Sequence, residues 1–289
     1  MSAEQLPADL ARQVEAALRE DIGSGDLTAA LVPAAQQVRG HVISRDAAVL
    51  CGSPWVEETF RQLDPRVQLT WHAREGATLE ADGTVCDIAG PARAVLTGER
   101  TALNFLQLLC GTATVTRRYA QAIAGMHCRI LDTRKTIPGL RTAQKYAVRC
   151  GGGDNHRMGL FDSVLIKENH IAAAGSITQA IEAARRDAPG IKVEVEVESL
   201  GELREALDAG PDIVMLDEFS LQDLHSAVAM NLAHEAPVKL EASGSVSLQS
   251  VRAVAATGVD YVSIGSLTKH VHAVDLSMRL DFLKDPSER

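Results

Sequence analysis

Residues 191–200 read IKVEVEVESL. Val193, Val195 and Val197 alternate with Glu194, Glu196 and Glu198, so a strand here puts three carboxylates on one face and three valines on the other. A half-exposed strand does this for solubility alone. A strand covered on both sides can do it only if cations or a metal ion meet the glutamates, because burying bare carboxylates costs too much. The flanking sequence decides between these cases. Apolar runs at 128–132, 163–167, 212–217, 238–242 and 259–264 accompany the one at 191–197. Between several of them lie segments of helical periodicity, such as SITQAIEAARRDA (176–188), LGELREALDAG (200–210) and SLQSVRAVAATG (247–258). A repeated strand–helix alternation means a parallel sheet covered by helices. Six such strands suit an open, incomplete α/β barrel better than a doubly wound sheet, which stays open as the alternative. No GxGxxG follows the first strand, which weakens a dinucleotide-binding version of that alternative.

The N-terminal part reads differently. Leu6, Leu10, Val14, Leu18 and Ile22 recur at steps of four and predict an amphipathic helix over 5–22, stopped by GSG. Between Val38 and Val95 the stretches VRGHVISRD, RVQLTWHA, ATLEADGTV and ARAVLTG predict short antiparallel strands, with one helix near 54–63. A long helix is expected from about Glu99 to Ala124, closed at Gly125. This part is therefore a small α+β domain.

Composition narrows the possible partners. The chain has 289 residues, 46% of them hydrophobic, and a formal charge of −9, which argues against a broad nucleic-acid or anionic-membrane surface. No apolar run approaches the roughly 18 residues of a membrane span, and the N-terminus carries acids without an apolar signal region, so a cytoplasmic location is expected. Cys51, Cys86, Cys110, Cys128 and Cys150 include no CxxC pair and read as reduced, buried thiols. An anionic ligand must meet a local cluster of cations. Residues 129–170 supply one: Arg129, Arg134, Lys135, Arg141, Lys145, Arg149, Arg157 and Lys167 against four acids. Chemistry in a barrel belongs at the C-terminal strand ends. Those ends read DTRK (132–135), IKENH (166–170), VEVEVES (193–199), MLDEF (215–219), EASGS (241–245) and SIGSLT (263–268). Cations come from the early strands, carboxylates from the middle ones and Gly/Ser turns from the last two, where backbone N–H groups can hold a phosphate. Two carboxylates beside such a turn suit Mg²⁺ and sugar hydroxyls.

The motifs ERTALN, DTRKTIPGLR, GGGDNHRMGL, IKENH, VEVEVES, MLDEF and SIGSLT, in this order and spacing, resemble the quinolinate phosphoribosyltransferase family. The similarity runs from EDIGSGDLT (20–28) to AVDLSMRLDF (273–282). The resemblance implies an N-terminal α+β sandwich domain over 1–110, an open α/β barrel over 111–272, and a segment 273–289 packing back on the first domain. It implies transfer of phosphoribosyl from phosphoribosyl pyrophosphate to the pyridine nitrogen of quinolinate, with loss of CO₂ and pyrophosphate. It implies quinolinate ligands Arg134, Arg157 and Lys167, with His156 beside them and Thr133 lining the pocket, and Lys135 and Lys167 at the departing pyrophosphate. Glu196 and Asp217 match the acids for ribose and Mg²⁺, the metal being held largely through substrate and water. Ser243, Gly244 and Ser245, with Ile264, Gly265 and Ser266, match the 5′-phosphate turns. Arg100 matches an arginine supplied by the other subunit of a homodimer. Two readings stay open: a phosphoribosyltransferase acting on nicotinate or a related pyridine acid without decarboxylation, and a binder of pyridine dicarboxylates without turnover.

Overall fold

The computed structural model describes residues 6–283. In chain order the elements begin with α1 (Leu10–Ile22), β1 (Gln37–Ser44), β2 (Ala48–Val49), α2 (Ser53–Leu63), β3 (Gln68–Trp71), β4 (Thr78–Leu79), β5 (Gly83–Pro91) and α3 (Ala92–Ala122). Then come β6 (Arg129–Leu131), α4 (Arg141–Gly151), β7 (Val164–Ile166), α5 (Glu168–Ala174), α6 (Ile177–Asp187), β8 (Val193–Val197), α7 (Leu200–Ala209) and β9 (Ile213–Asp217). The rest are α8 (Leu221–Ala233), β10 (Lys239–Ser243), α9 (Val251–Ala256), β11 (Tyr261–Ser263), α10 (Ser266–Lys269) and β12 (Leu276–Phe282). No helix among the described residues is long and apolar enough to cross a membrane.

The chain forms two compact units. The first takes the residues up to Arg117, Ile137–Gly152 and those from His270 on; the second takes Arg118–Thr136 and Gly153–Lys269. In the first, an antiparallel sheet of order β12-β1-β5-β3 packs Val38, Val42, Val85 and Ile88 against Phe60 of α2 and Leu103 and Leu106 of α3. The edge strand β12 runs antiparallel to β1, from Ser44↔Leu276 to Val38↔Phe282.

One expectation fails here. ARAVLTG (92–98) is the first turns of α3 and not a strand. Its buried residues Ala92, Val95, Gly98, Ala102 and Leu103 recur at helical spacing. Gly98 is the residue that misleads. A Cβ there would lie 2.7 Å from Leu63 Cδ1 and from Phe60 Cε1, so it marks a close approach of α2 and not the end of an element.

In the second unit six parallel strands take the order β6-β11-β10-β9-β8-β7. No ladder joins β6 to β7, so the barrel is open, as the strand count predicts. Ser176, Ser199 and Ser220 start α6, α7 and α8 by accepting the backbone N–H of Gln179, Glu202 and Asp223. These helices and α9 lie along the sheet and against one another. The register settles the question that opened the sequence reading. Glu194 pairs with Leu165 and Ile213, and Glu196 pairs with Met215, which in turn pairs with Glu241. Asp217 pairs with Ser243. Ladder partners point to the same side and successive residues to opposite sides. Glu194, Glu196, Asp217, Glu241 and Ser243 therefore share one face, while the valines of β8 take the other. Every residue of β8 is buried. The glutamates are thus inside, and something must compensate them.

Candidate active site

Cations from two neighbouring segments meet the carboxylates. Lys167, just past β7, forms an ion pair with the buried Glu196. Asp132, at the end of β6 and fully buried, accepts hydrogen bonds from Asn155 Nδ2 (2.6 Å) and from the backbone N–H of His156 (2.9 Å). Asp154 N–H donates to Ile130 O (2.8 Å) and Asp132 N–H to Asp154 O (3.2 Å). The 153–157 segment is so fastened alongside β6 that His156 and Arg157 lie beside Thr133 and Arg134.

The two guanidiniums feel each other. The pKa of Arg157 is lowered, first by burial and then by the charge of Arg134, with Glu194 and Asp162 acting the other way. Arg134 Nε is buried without a hydrogen-bond partner among the described residues. Two desolvated cations held side by side, one with an unanswered donor, form a receptor for a multiply charged anion.

The later strand ends carry the turns. Glu218, following Asp217, sits at φ +52, and Gly244 at φ +103. A Cβ on Gly244 would lie 2.5 Å from Glu218 Cδ. The Glu218 carboxylate accepts the N–H (3.1 Å) and hydroxyl (3.0 Å) of Ser245. At the other turn, Ile264 N–H donates to Leu131 O (2.9 Å), and a Cβ on Gly265 would lie 3.0 Å from Lys135 Cδ. Glycine at 265 thus lets Lys135 lie across the turn that leads to Ser266, while Thr268 Oγ1 donates to Lys135 O (2.8 Å) and Thr133 Oγ1 accepts from Lys135 N–H (3.1 Å). Asp217 is half-buried, and no hydrogen bond or ion pair to its carboxylate is recorded among the described residues.

The second unit therefore holds every expected site residue except one. Arg100 is exposed on α3 in the first unit. The cationic run 129–170 also divides: Arg141, Lys145 and Arg149 ride on α4 in the first unit, and Arg129 is paired with Asp154. Arg134, Lys135, Arg157 and Lys167 remain for the site. A cavity of about 440 Å³ in the first unit is ringed by Glu20, Asp21, Thr101 and Asn104, with no cation, so it suits no polyanion. Cys51, Glu75 and Cys150 lie close together in that unit, but Glu75 already accepts from Gly52 N–H, Ser53 N–H, Ser53 Oγ and Tyr146 OH.

Asp132, Asn155, Glu194 and Glu241 are the participants that sequence reasoning left unassigned. All four lie within strand-end or motif stretches of the sequence, and the contacts that give them a role appear only in the folded chain.

Comparison with known proteins completes the description. Residues 112–279 match the family model for the quinolinate phosphoribosyl transferase C-terminal domain, and residues 26–110 match its N-terminal domain. A probable nicotinate-nucleotide pyrophosphorylase [carboxylating] of Bacillus subtilis (strain 168) is 42% identical over 260 residues, 90% of this chain and 89% of that one. The nicotinate-nucleotide pyrophosphorylase [carboxylating] of Mycobacterium leprae (strain TN) is 40% identical over 280 residues, 94% of this chain and 98% of that one. The solved structure of the nicotinate-nucleotide pyrophosphorylase from Francisella tularensis superposes with a TM-score of 0.91 at 46% identity, covering 96% of this chain and 98% of that one.

Proposed function

The chain belongs to the quinolinate phosphoribosyltransferase family, and from that premise we propose how its strand-end cluster works. The enzyme transfers phosphoribosyl from phosphoribosyl pyrophosphate to quinolinate, releasing pyrophosphate and CO₂ and forming nicotinate mononucleotide for NAD biosynthesis. The observation that carries the assignment of the site is the Arg134–Arg157 pair. Two adjacent guanidiniums, one lowered in pKa by burial and then by the other's charge, and one with a buried orphan donor, match a pyridine dicarboxylate better than a monocarboxylate. Each planar fork takes a carboxylate in a two-point contact.

The remaining residues hold the second substrate. Lys135, stretched over Gly265, and Lys167 face the diphosphate and offset the charge that develops as it leaves. The turns Ser243–Ser245 and Ile264–Ser266 take the 5′-phosphate, and Glu196 and Asp217 the ribose hydroxyls. Mg²⁺ suits the hard oxygen donors here: Asp217 has a carboxylate with no recorded protein partner, whereas Glu196 is engaged by Lys167. When bound, the ion would neutralise diphosphate charge. No general acid–base pair is required. Alkylation makes the pyridine nitrogen cationic, and that charge stabilises the electron pair left at C2 when the carboxylate departs as CO₂; C2 then takes a proton from water, so the chain has mainly to position its substrates.

The functional protein is a homodimer in which Arg100 of one subunit completes the site of the other. Its exposure on the first unit leaves the guanidinium open to another subunit, which supports this role. Its place in the cell is the cytoplasm, which suits five buried cysteines that form no disulfide. Incubation with quinolinate and phosphoribosyl pyrophosphate should release CO₂ and pyrophosphate in equal amounts. Turnover of nicotinate with no CO₂ from quinolinate would overturn the reading.

A further inference from the structure

The inner face of the barrel carries two glutamates that the reaction does not call for. Glu194 projects from β8 and Glu241 from β10, with β9 between them. Their side chains are 2% and 0% exposed. No well-aligned hydrogen bond reaches Glu194 Oε1 or either oxygen of Glu241. Two carboxyl groups buried together repel each other and lose hydration, so a sheet that keeps them must gain from their placement.

His156 is the neighbour they share. Its Nε2 lies 2.9 Å from Glu194 Oε2 and 3.6 Å from Glu241 Oε2, and its side chain is 9% exposed. On the opposite side of the ring, Nδ1 accepts the backbone N–H of Arg157 at 2.7 Å. A nitrogen that accepts cannot carry the ring proton of a neutral imidazole, so that proton lies on Nε2, facing the carboxyl groups. The backbone N–H of His156 is in turn held by Asp132. One hydrogen bond at Nδ1 and one at the backbone N–H therefore fix the residue, Nε2 lies at contact distance from Glu194, and the peptide leading into Arg157 is gripped by the ring itself.

We infer that Glu194 and Glu241 are positioning residues: by holding Nε2–H of His156 they keep Nδ1 turned onto the Arg157 amide and so aim the Arg157 guanidinium at the substrate dicarboxylate. The inference rests on the reading that Arg157 binds quinolinate. Glu194 is the acceptor within reach of Nε2–H. Glu241 keeps the pair from carrying two charges. Burial, and then the Glu194 charge, pushes its carboxyl up to about 8, against the smaller opposite pull of His156, so near neutral pH it holds a proton. An acid in that form offers a donor toward Glu194 instead of a second negative charge. Arg157 has a separate tie at its far end, where Nη1 donates to Ser163 O at 3.3 Å. Losing the histidine clamp should therefore misdirect the guanidinium without releasing it.

The test is ¹⁵N-histidine NMR of the full chain, with the His156 signals assigned through His156→Asn, combined with steady-state kinetics. Wild-type protein near neutral pH, without substrates, should show His156 as the pure Nε2–H tautomer. Glu194→Leu should give a mixture of tautomers and raise KM for quinolinate at least about 10-fold with a much smaller change in kcat, the pattern of lost ground-state binding. Glu194→Gln, whose amide oxygen still accepts, should largely restore the tautomer. Glu241→Gln should keep it and Glu241→Leu should not. A proton on Nδ1 in the wild type overturns the proposal whatever the variants do, as does Glu194→Leu with an unchanged tautomer and KM. So does a stoichiometric divalent ion in the purified protein that Glu241→Gln loses, since the trio would then be a metal site. Because the tautomer is read without turnover, a chain that shows it yet does not consume quinolinate would sink the functional reading and leave the clamp standing.

Discussion

Lys167, at the end of one strand, forms an ion pair with Glu196 of the next, the glutamate side chain 9% exposed and the lysine side chain 42% exposed. Breaking a pair of this kind from one side leaves a buried charge without its partner. Lys167→Ala should lower stability by about 1–3 kcal/mol, below the figure for a fully buried pair because the ammonium is partly hydrated. Adding Glu196→Ala should cost less than the sum of the two single changes. Urea unfolding of the four proteins in the cycle checks this, and strict additivity would mean that the pair is not coupled.

Arg157→Ala should reduce kcat/KM for quinolinate by at least about 2 kcal/mol, the loss expected for a charge-assisted contact, and Arg134→Ala should do the same. Wild-type values in either variant would place the dicarboxylate elsewhere.

Activity should vanish in a strong chelator and return with excess Mg²⁺, since the diphosphate substrate carries charge that the ion neutralises. Full turnover in the chelator would remove the metal from the scheme.

Arg100→Ala and Lys167→Ala homodimers should each be nearly inactive. A heterodimer of the two should recover about half of wild-type activity, because one shared site collects both lesions and the other neither. Co-refolded mixtures that remain inactive while subunits demonstrably exchange would argue against a shared site.

Glu241 predicts a pH dependence of stability. Folding raises its carboxyl from the ordinary 4.5 to about 8. Between those values the unfolded chain has released the proton and the folded chain keeps it, so stability falls as pH rises, by up to about 1.4 kcal/mol per pH unit. The contribution is fully favourable below the unfolded value and is lost on approaching the folded one. Glu241→Gln cannot titrate, so the stability difference between wild type and this variant should shrink steadily from about pH 5 to about pH 8. A constant difference would mean that Glu241 is ionised in the folded protein.

Much of this was legible in the residue order, for identifiable reasons. The strands β6 to β11 announce themselves because parallel strands buried on both faces read as apolar runs between periodic helices. The Val/Glu alternation of β8 gave the sidedness correctly, and the strand ends picked out Arg134, Lys135 and Lys167, whereas Arg157, between α4 and β7, came only from the family resemblance. Other features needed three dimensions. The start of α3 was hidden by Gly98, whose reason for being glycine is a contact with Phe60 and Leu63 far earlier in the chain. Glu194 and Glu241 are 47 positions apart and on strands that do not touch, so only the register of the intervening strand reveals that they share a histidine. Arg141, Lys145 and Arg149 counted toward the cationic run, yet they belong to a helix of the first unit, because charge counted along a sequence takes no account of where the chain next packs.

The edge strand β12 has a consequence for biosynthesis. Its ladder with β1 joins residues 276–282 to residues 38–44, so the first sheet is made from strands far apart in the sequence. The bulk of the second unit, 153–269, is translated in one unbroken stretch between them. On the ribosome that middle stretch can collapse with mostly near-neighbour contacts, whereas β1 must wait, one edge unsatisfied, until residues 276–282 have been made. A chain that stopped before residue 276 would thus carry an open strand edge along β1, an exposed ladder ready to pair with another chain.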